Sequence, residues 1–292
     1  MNELRSGFVS VIGRPNVGKS TLVNRIIGTK VSIASPRPNT TRSQVRGVLN
    51  RPDAQVVFVD TPGLHRPRTP LGERLNDAAR SSLEDVDVIV VVVDATAPVG
   101  KGDRMVVENA LSRRAGPAIL VAVNKVDLAP RRDVLERLAE VSAVAGATPG
   151  VEVEYFPVSS TTGEGVDALV AAVVAALPPG PRYYPEDMVS DVPEAFWVAD
   201  LVREQLLARV KDEVPHSIAC RVTEWEWPRV RCEILVERDS QKGIVIGRGG
   251  ETLKQVGSAV RAQMAPGAYL ELFVRVEKRW QYRDDALDRL GL

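Results

Sequence analysis

The sequence predicts an α/β fold, in which a doubly wound and mostly parallel sheet is followed by a small α+β domain. Three observations predict it. Short apolar runs alternate with helical patterns from residue 7 to residue 177. A glycine-rich loop directly follows the first of these runs. A proline-rich stretch at residues 178–193 then precedes a region with a different order of elements.

The predicted strands include continuous apolar runs such as 88–93, which are typical of strands buried on both faces of a parallel sheet. They span residues 7–12, 55–60, 87–94, 118–124 and 154–158. Helical patterns alternate with them at residues 19–27, 72–83, 102–114, 131–145 and 165–177. Ligands of such sheets bind at the carboxyl ends of the strands, so we expect functional residues there.

The region after the prolines has an α-β-β-loop-α-β pattern. Its elements are a helix at 194–211, strand-like runs at 217–226 and 229–237, a glycine-rich loop at 247–250, a helix at 251–264 and a strand at 269–276. The predicted domain organisation is an α/β domain at 1–180, a linker at 181–193, an α+β domain at 194–280 and a C-terminal tail at 281–292.

Composition limits the classes of function. The charges of the 38 basic and 38 acidic residues cancel, so no overall electrostatic field indicates a nucleic-acid or membrane partner. Cys220 and Cys232 lack metal-ligand spacing, which suggests a reducing cytosol. The first strand begins too early for a signal peptide. The longest apolar stretches, 88–93 and 168–177, are far shorter than the ~18 residues of a membrane-spanning helix. We therefore expect a cytoplasmic protein.

The first glycine-rich loop fits G-x-x-x-x-G-K-[ST], a pattern that holds nucleotide phosphates. It comprises Gly13, Arg14, Pro15, Asn16, Val17, Gly18, Lys19 and Ser20, and Thr21 continues into the helix. Backbone N–H groups of such a loop converge on phosphate oxygens. Lys19 would supply positive charge for catalysis, and the Ser20 hydroxyl would bind Mg²⁺. An ordinary glycine turn is the alternative. The preceding strand and following helix favour a phosphate site of the P-loop NTPase type.

A second motif follows the predicted strand 55–60. It consists of Asp60, Thr61, Pro62 and Gly63, with Leu64 next. Asp60 can hold Mg²⁺ through a water molecule, and the Gly63 N–H can reach a γ-phosphate during catalysis. A plain turn is the alternative. In Ras-like proteins a glutamine at the position of Leu64 orients the attacking water, so hydrolysis should be slow here without help. His65 is a candidate base, but a structural role is favoured.

A third group of residues suits recognition of guanine. It comprises Asn124, Lys125, Val126 and Asp127, with Ser159 and Ser160 after the next strand. The Asp127 carboxylate can accept hydrogen bonds from guanine N1–H and the 2-amino group, which adenine does not offer. Asn124 would support the base pocket and Lys125 would lie over the ring. A backbone N–H near Ser159 could meet guanine O6.

The order of these motifs resembles that of the translation-factor class of GTPases. By resemblance to relatives with a Thr-Thr-Arg motif, Thr41 is a predicted catalytic residue and Mg²⁺ ligand, with Thr40 the alternative. Asn16 matches a P-loop asparagine that helps hold K⁺ against the phosphates in several similar GTPases. The resemblance implies GTP/GDP and Mg²⁺ as cofactors, with K⁺ a further candidate.

The second glycine-rich loop resembles the G-x-x-G loop of KH domains of type II, which clamps about four nucleotides of single-stranded RNA. Its predicted RNA-binding residues are Ile246, Gly247, Arg248, Gly249, Gly250, Lys254 and Arg261. A tight turn before a helix is the alternative. Residues 193–292 hold 16 Lys/Arg and 16 Asp/Glu, which favours a local groove over a general electrostatic grip. Trp225, Trp227 and Trp280 could stack on bases, but packing in the core or against a strand is the more common use of tryptophan.

Together, the two domains resemble the Era-like ribosome-assembly GTPases, of the TrmE-Era-EngA type. The runs 60–65, 212–217 and 236–243 carry this resemblance. It implies binding near the 3′ end of 16S ribosomal RNA, action in 16S rRNA processing and small (30S) subunit assembly, and GTPase stimulation by RNA. It also implies a monomer and some peripheral contact with the inner membrane. The alternative is a constitutive RNA-binding module with a vestigial GTPase.

Overall fold

The computed structural model describes residues 3–112, 116–146, 150–210 and 214–292. The predicted helix ends at residues 113–114 and 211, and the Asp212-Glu213 pair of the family resemblance, lie outside these residues. None of the helices in the described part of the chain combines the length and apolar character that crossing a bilayer requires.

The chain divides into two compact units. The first comprises Met1–Ala34, Thr41–Pro67 and Leu75–Asp191, and the second comprises Ser35–Thr40, Arg68–Arg74 and Val192–Leu292. The main division between the units thus falls near the end of the predicted linker.

The strands of the first unit are β1 (Arg5–Gly13), β2 (Val45–Asn50), β3 (Ala54–Asp60), β4 (Val88–Asp94), β5 (Ala118–Asn124) and β6 (Val153–Val158). They form one sheet in the order β2-β3-β1-β4-β5-β6. Only the β2–β3 pair among them is antiparallel. The predicted doubly wound sheet is confirmed. The edge strand β2 was not predicted, because it lacks a continuous apolar run.

The helices between these strands are α1 (Lys19–Ile27), α2 (Pro70–Ser81), α3 (Lys101–Leu111), α4 (Arg131–Ala145) and α5 (Val166–Ala176). Alternate residues of β4 enter two different apolar clusters. Val88, Val90 and Val92 pack with residues of α1 and α5, whereas Ile89, Val91 and Val93 pack with residues of α3 and α4. Helices therefore cover both faces of β4, which explains its unbroken apolar run.

Most of the predicted linker lies against the first unit. The fully buried Gln55 side chain accepts hydrogen bonds from the backbone N–H groups of Tyr183 and Tyr184, at 2.6 and 3.0 Å. The Val48 N–H donates to the Val189 carbonyl at 2.9 Å. This segment therefore continues the β2 edge of the sheet as far as Ser190, which bridges to Gly47.

The elements of the second unit are α6 (Glu194–Arg209), β7 (Ala219–Glu226), β8 (Arg229–Val236), α7 (Asp239–Ile246), α8 (Glu251–Arg261), β9 (Tyr269–Val276) and α9 (Asp284–Arg289). In the sheet β7-β8-β9, β7 is antiparallel to β8, and β9 is parallel to β8. Trp280 is fully buried and its Nε1–H donates to the Ser217 carbonyl at 2.8 Å. This tryptophan therefore packs in the core.

Helix α7 corrects the predicted α-β-β-loop-α-β pattern, which had no helix before the glycine-rich loop. Gln241 Oε1 accepts hydrogen bonds from the backbone N–H groups of Glu237 and Arg238, at 2.9 and 3.0 Å. These bonds satisfy N–H groups at the start of α7, and Val245 anchors the helix in the core. The short run Ile244-Val245-Ile246 shows no helical period by itself, which is why the helix was missed.

Candidate nucleotide-binding site

The predicted phosphate loop connects β1 directly to α1, as its motif requires. Gly18 caps the helix in the left-handed region, with φ of 98°. A Cβ at Gly18 would lie 2.3 Å from Asn124 Nδ2, and a Cβ at Gly13 would lie 2.6 Å from the Val92 carbonyl oxygen. Glycine is therefore required at both positions, on grounds of space as well as backbone conformation at Gly18.

Lys19 is buried at the base of this loop. Its Nζ donates to the carbonyl oxygens of Gly13 and Arg14, at 3.2 and 3.1 Å. Burial lowers the pKa of Lys19 to about 8, and attraction to Asp60 partly opposes this shift. A cation so weakly solvated interacts strongly with phosphate, because no water shell has to be removed from it.

Three oxygen-bearing side chains meet beside the loop. The Ser20 and Thr41 hydroxyls share a hydrogen bond of 2.9 Å, and Thr41 Oγ1 donates to Asp60 Oδ2 at 3.3 Å. Thr40 instead donates to the Arg37 carbonyl at 2.7 Å. The structure thus brings Thr41, and not Thr40, to Ser20 and Asp60.

This cluster fits a hard cation such as Mg²⁺, which prefers oxygen ligands. Asp60 Oδ1 is buried and has no hydrogen-bond partner among the described residues. Burial raises the pKa of Asp60, against the lowering effects of Lys19 and of the Ser20, Ser32 and Thr41 hydroxyls. A cation held near Oδ1 through a water molecule would relieve part of the cost of burying this carboxylate. Clusters of three or more His, Cys, Asp or Glu side chains suited to a metal do not occur in the described ranges.

Asn124 joins three predicted motifs. It lies at the end of β5, and its Nδ2 donates to the Val17 carbonyl of the phosphate loop at 2.8 Å. Its Oδ1 accepts hydrogen bonds from the Ser160 backbone N–H at 3.0 Å and the Ser160 hydroxyl at 2.8 Å. The phosphate loop and the predicted guanine-binding segments are therefore held together by one buried side chain.

Lys125 is held by Asp94, a residue that sequence reasoning did not select. Lys125 Nζ and Asp94 Oδ2 are 2.5 Å apart, and Asp94 Oδ1 accepts two hydrogen bonds from Thr96. Burial would raise the pKa of Asp94, but the hydrogen bonds from Lys125 and Thr96 outweigh it and lower the pKa. Asp127 follows in the 3₁₀ turn Val126–Leu128, where it is solvent-exposed and free to accept hydrogen bonds from a base.

A cleft of about 440 Å³ lies between α1 and the segment after β6. Its lining residues are Thr21, Asn24, Arg25, Gly28, Thr29, Lys30, Ser160 and Thr161. Arg25 Nε donates to the Ser160 carbonyl at 3.1 Å, and its Nη2 donates to the Thr161 carbonyl. Arg25 thereby ties α1 to the segment that begins with Ser159, a link that no sequence motif indicated.

The segment after β3 is also fixed against the phosphate loop. A Cβ at Gly63 would lie 2.5 Å from the Pro15 nitrogen, and the Leu64 N–H donates to the Gly13 carbonyl at 3.2 Å. Leu64 is buried in the apolar cluster of one sheet face, so its side chain packs in the core. His65 Nδ1 and the Gly63 carbonyl are 2.9 Å apart. The Gly63 carbonyl therefore gives the His65 ring a structural contact.

In the second unit, the G-x-x-G loop connects α7 to α8. Gly247, Gly249 and Gly250 have φ of 76°, 62° and 80°. Arg248, Lys254 and Arg261 are exposed, and Ile246 is half-buried. The structure therefore presents the predicted RNA-binding cations to solvent on one loop and the helix that follows it.

Comparisons with known proteins find relatives of both domains. A family model described as 50S ribosome-binding GTPase matches residues 8–125, and a KH domain model matches residues 213–281. The chain is 46% identical over 303 residues to GTPase Era of Mycobacterium avium (strain 104), with 100% of both chains covered. It is also 46% identical over 306 residues, with the same coverage, to GTPase Era of Mycobacterium tuberculosis (strain ATCC 25177 / H37Ra).

Two solved structures are similar over nearly the whole chain. One is Era in complex with MgGDPNP and nucleotides 1506–1542 of 16S ribosomal RNA, at 36% identity and a TM-score of 0.90. The other is a variant of Aquifex aeolicus Era bound to GDP·AlF4⁻, at 35% identity and a TM-score of 0.91. Each comparison covers 99% of both chains.

Proposed function

The chain belongs to the GTPase Era family and is a GTPase, and we propose that it binds 16S ribosomal RNA near its 3′ end and acts in 16S rRNA processing and small-subunit assembly. The observation that carries the nucleotide part is Asn124, whose bonds join the phosphate loop to the guanine-binding segments. The RNA part is supported by the exposed G-x-x-G loop and by the RNA bound to the related Era.

We propose that the nucleotide is held by backbone N–H groups of the phosphate loop and by Lys19, with Asp127 selecting guanine. The residues that would hold Mg²⁺ are Ser20, Thr41 and, through water, Asp60. When bound, Mg²⁺ neutralises charge on the β- and γ-phosphates. Lys19 contributes a buried positive charge at the same phosphates, and the Gly63 N–H donates toward the γ-phosphate.

Intrinsic hydrolysis is expected to be slow, because the Leu64 side chain cannot orient a water molecule and packs in the core.

We propose that Asn16 helps hold K⁺, which would supply positive charge to the phosphates. Its backbone lies in the left-handed region, with φ of 67°, within the loop that wraps the phosphates. Turnover should be faster in K⁺ than in Na⁺ at equal ionic strength, and equal rates would refute this role.

The G-x-x-G loop would clamp about four nucleotides, with Arg248, Lys254 and Arg261 supplying charge near the RNA backbone. Nucleotide state would set RNA affinity, because γ-phosphate and Mg²⁺ contacts order the segment that contains Thr41. We also propose a monomer in the cytoplasm that has peripheral contact with the inner membrane, which cell fractionation would test.

The deciding experiment measures GTP hydrolysis with and without an RNA that carries the 3′ end of 16S rRNA, and RNA affinity with GDP and with a non-hydrolysable GTP analogue. RNA should stimulate hydrolysis, and the analogue should strengthen RNA binding. The alternative, a constitutive RNA-binding module with a vestigial GTPase, predicts RNA binding that is equal in both nucleotide states and no GTP turnover.

A further inference from the structure

We propose that Ser32 is a positioning residue for the Mg²⁺ ion of the nucleotide site, and that it acts through Asp60. This inference rests on the proposed nucleotide chemistry and extends it to a residue outside every motif of the sequence. Ser32 lies in the loop between α1 and β2, and only 1% of its surface is exposed.

The Ser32 hydroxyl donates a hydrogen bond of 2.6 Å to Asp60 Oδ2. Thr41 Oγ1 donates to the same oxygen at 3.3 Å, whereas Asp60 Oδ1 has no partner among the described residues although it is buried. The two hydroxyls therefore occupy one carboxylate oxygen and leave the other available. A short bond to an ionised carboxylate is strong enough to fix the orientation of the carboxylate group.

Helix α1 places this hydroxyl. Asn24 Oδ1 accepts hydrogen bonds from the backbone N–H groups of Val31 and Ser32, at 2.9 and 3.0 Å, and Asn24 Nδ2 donates to the Ser32 carbonyl at 2.7 Å. Asn24 lies four residues after Ser20, so the two side chains share one face of α1. One helix face thus presents a predicted Mg²⁺ ligand and the anchor of the residue that orients Asp60.

Hydrogen-bond partners that orient the ligating groups of a metal site typically contribute about 10- to 100-fold to metal affinity. Asp60 is proposed to hold Mg²⁺ through a water molecule, so the loss of the Ser32 hydroxyl should lie at the lower end of this range. A purely structural role for Ser32 would have a different consequence. Its loss would then weaken nucleotide binding whether or not Mg²⁺ is present.

The test is the release rate of a fluorescent GDP analogue from the full chain, measured across a Mg²⁺ titration and in EDTA. Ser32→Ala should raise the Mg²⁺ concentration needed for half-maximal retention by about tenfold. Its release rate in EDTA should equal that of the wild type. Ser32→Thr retains the hydroxyl and should keep a Mg²⁺ requirement close to that of the wild type.

Ser10 offers a matched control, since it is fully buried in β1 and its hydroxyl shares a hydrogen bond of 2.9 Å with that of Ser82. Ser10→Ala should leave the Mg²⁺ requirement unchanged. An unchanged requirement in Ser32→Ala, equally accelerated release in EDTA, or failure of Ser32→Ala to fold would overturn the proposal. A wild-type chain that does not retain GDP would instead refute the proposed nucleotide chemistry, whatever Ser32 does.

Discussion

The two glycine-rich loops of this chain obtain their shapes in opposite ways. In the phosphate loop, a Cβ at Gly18 would collide with Asn124, a residue more than 100 positions away. In the G-x-x-G loop, a Cβ at Gly249 or Gly250 would meet nothing within 4 Å. Distant residues therefore shape the first loop, whereas backbone conformation shapes the tip of the second.

This difference affects the free-energy cost of ligand binding at each loop. A loop fixed by tertiary contacts loses little conformational freedom when its ligand arrives. At the tip of the second loop, an added Cβ at Gly249 or Gly250 would displace no neighbouring residue. We therefore expect nucleotide binding to be sensitive to atoms added to the glycines of the phosphate loop. RNA binding should be more tolerant of atoms added at the tip of the G-x-x-G loop.

The largest effect should come from Gly18→Ala. The added Cβ would displace Asn124 and break its bond to Val17, in addition to the cost of a left-handed alanine. The free loop would move to relieve these contacts, and restoring its binding geometry would cost more than about 3 kcal/mol, so affinity for GDP should fall more than about 100-fold. Titration with a fluorescent GDP analogue measures this loss of affinity. Gly28→Ala has a similar φ of 80° in open space and should cost about 1 kcal/mol of stability without changing affinity.

Within the G-x-x-G loop, Gly247→Ala should weaken RNA binding more than Gly249→Ala. A Cβ at Gly247 would lie 2.2 Å from Thr252 Oγ1 and 2.9 Å from the Thr252 nitrogen, so the start of α8 would have to move. We expect a loss of at least about 30-fold, against about fivefold for Gly249→Ala, where only the left-handed conformation is penalised. Fluorescence anisotropy measures the RNA affinity of both variants. Equal losses in Gly247→Ala and Gly249→Ala would contradict the view that backbone conformation alone shapes the loop tip.

The nucleotide motifs were predictable because each is a local pattern at the end of a strand. Gly13–Ser20, Asp60–Gly63 and Asn124–Asp127 all begin at the ends of apolar strands, and parallel strands bring their carboxyl ends to one edge of the sheet. The geometry around Asn124 agrees with the supporting role predicted for it.

The supporting contacts were not predictable, because they join residues that share no motif. Ser32 reaches Asp60 across 28 positions of sequence, and Asp94 meets Lys125 across 31. A carboxylate at the end of β4 was the only signal for Asp94, and nothing local marked Ser32. Strand β2 was missed for a different reason, because Val45–Asn50 contains no continuous apolar run.

Asp94→Ala tests whether a contact of this kind matters to the nucleotide site. The ion pair between Asp94 and Lys125 is partly buried, with 14% and 29% of the side chains exposed. Its loss should free Lys125 and weaken GDP binding by about 1.5 kcal/mol, on the order of tenfold. RNA binding without nucleotide should not change. An unaltered GDP affinity would show that Lys125 needs no support from outside its motif.

The smallest effect we predict is a dependence on pH that only the nucleotide site should show. The pKa of Lys19 is lowered to about 8 by burial, so above this pH the free protein must take up a proton before the charged amine can meet a phosphate. Between pH 7.0 and 8.5, GDP affinity should therefore fall about fourfold as pH rises. Lys19 takes no part in the proposed RNA contacts, so RNA affinity without nucleotide should stay level. Isothermal titration calorimetry in buffers of different ionisation enthalpy would detect the proton uptake, and its absence at pH 8.5 would mean that Lys19 is already charged.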